Sequence, residues 1–177
     1  MSNVNNPHGL RPLMRTTSGG NPEINPYTKE VGYAQAIYRW DPVTLLAGVL
    51  NGPASGIIAG TTRYLGVALA FSLASVAAVM QIMDSRNAVF EAQEDNSGAA
   101  NLVAAKMGYN ANLTTTAGDA TLNQSKVQVS GTSINTTSSL DVNIRRLLDA
   151  PDNAYGAYGR VELVFNKHLS NPEITVT

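Results

Sequence analysis

The sequence predicts a mainly β protein: an antiparallel β-barrel or sandwich, jelly-roll-like forms included, with one short helix and an extended N-terminal arm. Three observations carry this. Apolar and polar residues alternate in short segments toward the C-terminus, as in "SLDVNI" and "RVELVF". Turn formers, among them 15 Gly and 8 Pro, punctuate the chain between such segments. Charged residues make up only 14% of the 177, against about 25% in an average domain, and small and polar residues suited to strands and turns take their place.

From residue 1 to 30 the chain is rich in Asn, Pro and Gly, with Pro7, Pro12, Pro22 and Pro26 spaced through it. No helical or strand period survives there, so residues 1–30 read as an extended arm. Residues 31–177 read as one β-rich domain. In "EVGYAQAIYRWDPVTLL" Ala36, Tyr38 and Trp40 share one face, and Asp41-Pro42 marks a turn. The glycine-spaced "GVLNGPASGIIAGTTRYLG" suits short strands and tight turns.

The one long apolar run, "YLGVALAFSLASVAAVMQIMD" over residues 64–84, has the length of a membrane helix, about 20 residues. Ser72, Ser75 and Gln81 interrupt it, and Val67, Leu69, Phe71 and Leu73 alternate with smaller residues. Strand, connection, strand is therefore expected, with a single amphipathic helix over "SLASVAAVM" as the alternative. The connection near 72–80 would join two β halves, packed closely through Ala74, Ala77 and Ala78. In "NAVFEAQED", Ala88, Phe90 and Ala92 face one way and Val89, Glu91 and Gln93 the other.

The short helix is expected near 97–107, in "NSGAANLVAAKMG". Asn96 or Ser97 caps it, Ala99, Leu102, Val103 and Lys106 share a face, and Gly108 ends it. Beyond it, "KVQVS", "SLDVNI", "RVELVF" and "EITVT" read as strands. In them Val127, Val129, Leu140, Val142, Ile144, Val161, Leu163 and Phe165 point inward, and Asp141 and Asn143 outward.

The composition limits the chemistry. A net charge of −1 provides no footprint for nucleic acid and no polybasic segment for a membrane. Cysteine is absent, so disulfides and thiolate metal sites are excluded, and two histidines without metal-ligand spacing make a zinc site improbable. "MSNVNNPHGLRPLMR" lacks the apolar core of a signal peptide. His8 and His168 read as surface or interface residues. Gly52, Gly56 and Gly60 do not have the spacing of a phosphate loop and lack its lysine. Glu91, Glu94 and Asp95 read as a polar strand face and a solvated loop rather than a catalytic carboxylate pair. Asp149 and Asp152 lie in a Pro-Asp-Asn turn without the ligand spacing of a calcium loop. No enzymatic constellation and no cofactor site emerges.

The order "NPHGLRPL", "GYAQAIYRWDPVTLL", "RYLGVALAF", "NAVFEAQED", "MGYNANL", "PDNAYGAYGRVELVFNKHL" resembles the head decoration (cement) proteins of tailed bacteriophages and related small capsid-associated structural proteins. The likeness spans most of the chain and rests on diffuse patterning. It implies a β-rich, non-enzymatic homo-oligomer, a dimer or trimer. Such a protein assembles in the bacterial host cytoplasm and lies on the capsid surface, across joints between major capsid subunits. By the same resemblance a glycine is expected before the aspartate, where this chain has Trp40.

On that basis the interface residues would be Leu10, Leu13 and Met14 as apolar anchors of the arm, Arg11 and Arg15 as partners of acidic groups on the shell, and Tyr38 and Trp40 as aromatic contacts. For Trp40 the competing assignment is core. The alternative functions are a tail or fibre component, and a carbohydrate-binding β module using Tyr155 and Tyr158.

Overall fold

The computed structural model describes residues 3–53, 63–97, 102–114 and 116–170. The fold is mainly β and sandwich-like, built on two five-stranded antiparallel sheets, neither closed into a barrel. The strands are β1 (Arg11–Thr16), β2 (Ile24–Lys29), β3 (Pro42–Leu46), β4 (Val49–Asn51), β5 (Gly66–Ala68), β6 (Ala78–Met83), β7 (Ala88–Gln93), β8 (Asn110–Ala111), β9 (Val142–Leu147) and β10 (Arg160–Phe165). The first sheet has the order β1-β7-β10-β9-β8 and the second β2-β6-β5-β3-β4.

The expected N-terminal arm is instead woven into both sheets. Strand β1 pairs with β7 at the edge of the first, and β2 pairs with β6 at the edge of the second. The chain thus crosses between sheets twice, at 17–23 and at 84–87, with its partner strand alongside each time. Hydrogen bonds pin this corner. Thr17 N–H donates to the Asn87 carbonyl at 2.9 Å, Glu23 N–H donates to Ser85 Oγ, and Tyr27 O–H donates to Asp84 Oδ2 at 2.6 Å. Prolines at 12 and 26 escaped a strand reading because they cannot donate to a ladder; both sit on edge strands, where that donor is not needed.

The apolar run resolves as expected into strand, connection and strand, β5 and β6. The two pair within one sheet, however, so the connection does not join two halves. Ala74 and Ala77 are exposed and Ala78 is half-buried, so close packing through them does not occur. The crossing lies at 84–87 instead. Among the described residues no helix is long and apolar enough to cross a membrane.

Each sheet has its own core. Phe90, Leu163, Val161 and Ile144 of the first sheet pack with Val67 and Met83 of the second, and with Leu102, Leu113, Val127 and Val129 from irregular segments. Tyr64 stacks on Phe165 at 4.8 Å between ring centroids in this core. The second sheet curls so that its edge strands β2 and β4 approach, around Ile37, Val43, Leu50, Leu65, Ala68, Met80 and Ile82.

Several local expectations change. Where a helix was expected, the described part holds one 3-10 turn, Ala104–Lys106, because the chain is extended on both sides of it, at Val103 and at Met107. Leu102 is drawn into the core, where its carbonyl accepts from Gly156 N–H at 2.8 Å. Ile37, not Tyr38 or Trp40, is the buried residue of "AIYRW". Val127 and Val129 are buried as expected but not in a strand, Val129 making only isolated bridges, and Asp141, expected outside, is buried with its carboxylate accepting from Leu113 N–H at 2.9 Å. The expected strand "EITVT" lies outside the described residues.

Gly66 marks the closest approach within the second sheet. A Cβ there would overlap the Met83 carbonyl and the Asp84 backbone, which cannot rotate away. Gly66→Ala is expected to lower stability by about 1–3 kcal/mol, the usual cost of overpacking. Chemical denaturation measures it, and an unchanged midpoint refutes the packing account.

Candidate functional site

Strand β7 is the second strand of its sheet, and all six of its residues are buried. Ala88, Phe90 and Ala92 enter the core, as their alternation predicts. The other face, Val89, Glu91 and Gln93, is buried beneath the chain's own N-terminal segment. That segment is a strap. Asn3 Nδ2 donates to the carbonyls of Ala154 and Ala157 at 2.9 and 2.8 Å. Gln93 Nε2 donates to the Val4 carbonyl at 2.8 Å, and Asn6 N–H donates to Gln93 Oε1 at 2.9 Å. Leu10 N–H donates to the Trp40 carbonyl at 3.0 Å. Gly9, at φ 74°, passes so close to Ser125 and the Trp40 carbonyl that a Cβ would overlap them. The "NPHG" stretch therefore serves a tight internal passage.

Under the strap runs a row of charges set by strand register. Arg11 stands opposite Glu91, Glu91 opposite Glu162, and Glu162 opposite Arg146. Two like charges facing each other across neighbouring strands are destabilising unless neutralised. Glu91 is fully buried; Arg11 pairs with its Oε2, while His8 Nε2 and Arg160 Nη1 lie 3.2 and 3.5 Å from its Oε1. Glu162 is paired with Arg15 and held by Arg146 through two contacts of 2.9 Å. Met14, at φ 53°, lies in the irregular stretch of β1 between Pro12 and Thr16. Burial pushes the Glu91 carboxyl up, but His8 and Arg11 outweigh it and hold the group below its usual range. Glu162 is held low in the same way, burial being outweighed by Arg146 and Arg15.

Beside this row opens a cleft of about 660 Å³, lined among others by His8, Arg11, Trp40, Glu91, Tyr158 and Arg160. Trp40 has φ 71° and Tyr158 φ 58°, the left-handed region in which glycine is at ease and large side chains are strained. Residue 40 thus adopts a conformation in which a glycine would be unstrained, and this chain holds a tryptophan there. The Arg39 guanidinium lies 4.4 Å from the Trp40 ring centroid, and the His8 ring meets Trp40 edge-on at 6.3 Å.

The residues singled out from sequence divide as follows. Leu10 is fully buried and anchors the strap to its own core, not to a partner. Arg11 and Arg15 are spent on Glu91 and Glu162 rather than left for acidic groups elsewhere. Leu13 is half-buried, and Met14 is 56% exposed. Tyr38 packs against Phe71 at 5.4 Å and Gly118, and half-buried Trp40 packs on the core while also lining the cleft. His8 and His168, expected as surface or interface residues, Glu91, expected on a polar strand face, and Glu94, expected in a solvated loop, are all buried. Burial pushes the Glu94 carboxyl up and the His168 ring down. One signal for the charged row was available: "VFEAQ" and "RVELVF" each carry a glutamate in mid-strand, a residue type that strands avoid.

A second exposed feature lies on the other sheet. Lys29 is buried at the end of β2, and its Nζ donates to the carbonyls of Leu73 and Val76 at 2.8 and 2.9 Å. Burial lowers its pKa, and the ammonium also faces the Tyr33 ring at 5.5 Å. Ser75 N–H donates to the Tyr33 carbonyl at 2.8 Å. The β5–β6 connection is thereby held in one shape. It presents exposed Leu73 and Val76 at the same strand end as exposed Val31 and Val79.

No protein-family model, no curated protein and no solved structure matches the chain.

Two carboxyl groups should show opposite pH behaviour. Glu162, held low, adds stability above the ordinary glutamate value of about 4.3 and loses it as the pH falls through its depressed value. Glu162→Gln is therefore expected to melt below wild type at pH 7, with the deficit shrinking toward pH 3. Asp41 is buried beside Trp40, with Tyr38 N–H donating to its Oδ2 at 2.8 Å. Burial pushes its carboxyl up to about 7, against hydrogen bonds from Ser125 and Tyr38. Its contribution is full below about pH 3.9 and is lost as the pH rises to about 7. Asp41→Asn is expected to raise the melting temperature at pH 8, with the gain fading toward pH 4. A gain of equal size at both pH values would show that Asp41 is not the titrating group.

Proposed function

We propose that this chain is a virion structural protein that binds the outside of a tailed-phage capsid shell and stabilises joints between major capsid subunits. It acts as a homo-oligomer and catalyses no reaction. The observation that carries this is the rigid apolar end of the second sheet. Leu73 is 61% and Val79 70% exposed, beside Val31 and Val76, on backbone fixed by a buried lysine. Exposed apolar patches of this kind mark protein contact surfaces. A surface already ordered before contact loses little entropy on docking. Low charge density supports the same reading, because many copies pack side by side on a shell without repelling one another. Attachment of an oligomer at several joints adds avidity without stronger single contacts.

The sequence resemblance to decoration proteins supports this function, and the attachment surface proposed here is the sheet end rather than the N-terminal segment, most of which is engaged with the chain's own sheet. Removing residues up to Asn25 would delete β1 and uncover Glu91, so binding lost on truncation would report unfolding. The informative variant is Leu73→Asp with Val79→Asp, both exposed and outside either core. Co-sedimentation with purified shells should fall at least tenfold in affinity while circular dichroism and melting temperature hold. Undiminished binding to shells, or label on tails rather than shells in micrographs of particles, would overturn the proposal.

A further inference from the structure

The cleft above Glu91 lies on the first sheet and is independent of the apolar end assigned to shell docking. We propose that it is a saccharide-binding site, taking an uncharged, hydroxyl-rich sugar against Trp40 and Tyr158.

Its polar groups point to that chemistry. His8 and Glu91 are both more than nine-tenths buried, and neither His8 Nε2 nor Glu91 Oε1 makes a hydrogen bond of good geometry: they face each other at 3.2 Å, with Arg160 Nη1 3.5 Å from the oxygen. Unmet hydrogen-bonding capacity in a buried group is costly. A hydroxyl both donates and accepts, so a single sugar hydroxyl completes both atoms. The strap explains why they are held there, since His8 Nδ1 lies 3.2 Å from the Asn6 carbonyl.

Its charges exclude the other ligand classes. Arg11 and Arg160 on the lining are balanced by Glu91 and Asp152, and each cation is already paired with a carboxylate. Neither lining arginine is thus left as a free cation for a phosphate or a sulfated chain. The remaining lining is the chemistry that binds neutral sugars: two aromatic rings, and uncharged amides such as Gln124. The volume of about 660 Å³ falls within the range of small-ligand sites, roughly 300–1,000 Å³. Both aromatic residues are held at positive φ. Such strain persists where surrounding structure imposes it, and it clusters at ligand sites.

Trp40 is the only tryptophan of the 177 residues, so its emission reports directly on the cleft. The full chain is titrated with neutral oligosaccharides built from glucose, galactose and N-acetylglucosamine, with a sialylated oligosaccharide and an uncharged extended peptide as comparators. A saturable emission change with at least one neutral sugar is expected. In Gln124→Ala, whose melting temperature should match wild type, the affinity should fall about tenfold. No saturable change with any neutral sugar at millimolar concentration would overturn the proposal. So would a response confined to the acidic sugar or the peptide, or an affinity unaltered in Gln124→Ala. Shell co-sedimentation is read separately and on the other sheet, so failure of either proposal leaves the other standing.

Discussion

A fully buried glutamate carboxylate on β7 governs the outer half of this molecule. Glu91 is tolerated only because His8, Arg11 and Arg160 converge on it from two separate segments of the chain, the N-terminal strap and β10. An uncompensated charge at that depth would cost far more than any single contact returns. The N-terminal segment is therefore not free to leave. It carries two of the three side chains that hold the carboxylate, and its departure would expose the glutamate, the second glutamate opposite it, and the amide of Gln93 that clamps it. The order of residues 3–16 follows from electrostatics as much as from packing.

The same segment ties the two sheets into one body. With β1 in the first sheet and β2 in the second, and β7 and β6 beside them, a double-stranded ribbon bends across the corner between sheets. Each sheet has its own core, and the ribbon, together with Val67 and Met83, couples them. The two proposed surfaces fall on different parts of this frame. The saccharide cleft sits above the charged row, where the strap, Trp40 and the 152–160 turn meet. The docking end sits on the curled sheet, where Lys29 turns a chain connection into a fixed apolar surface. Rigidity has a named cause in both places: buried polar groups whose partners are backbone carbonyls or opposite charges.

The β class, the division of the apolar run into two strands, and the inward faces of β7, β9 and β10 were all legible in the sequence. They depend on a period of two along a single strand, which a local pattern records. Pro12 and Pro26 concealed β1 and β2, because proline excludes a central strand yet is tolerated at an edge, and edge position is a property of the assembled sheet. The left-handed backbone of Trp40 left no mark in the sequence, because a tryptophan gives no local sign that its φ is positive.

The amino-acid order by itself thus determined which side chains alternate and hence the class of fold. Tertiary structure alone decided what lies over each outward face. Glu91 is polar-facing in any reading of "VFEAQ", but whether that face meets water depends on a strap more than 80 residues away in sequence. The register that sets Arg11, Glu91, Glu162 and Arg146 in one row arises from pairings between distant strands. A charge pattern read along the chain is blind to such a row, because its members become neighbours only when the sheet forms.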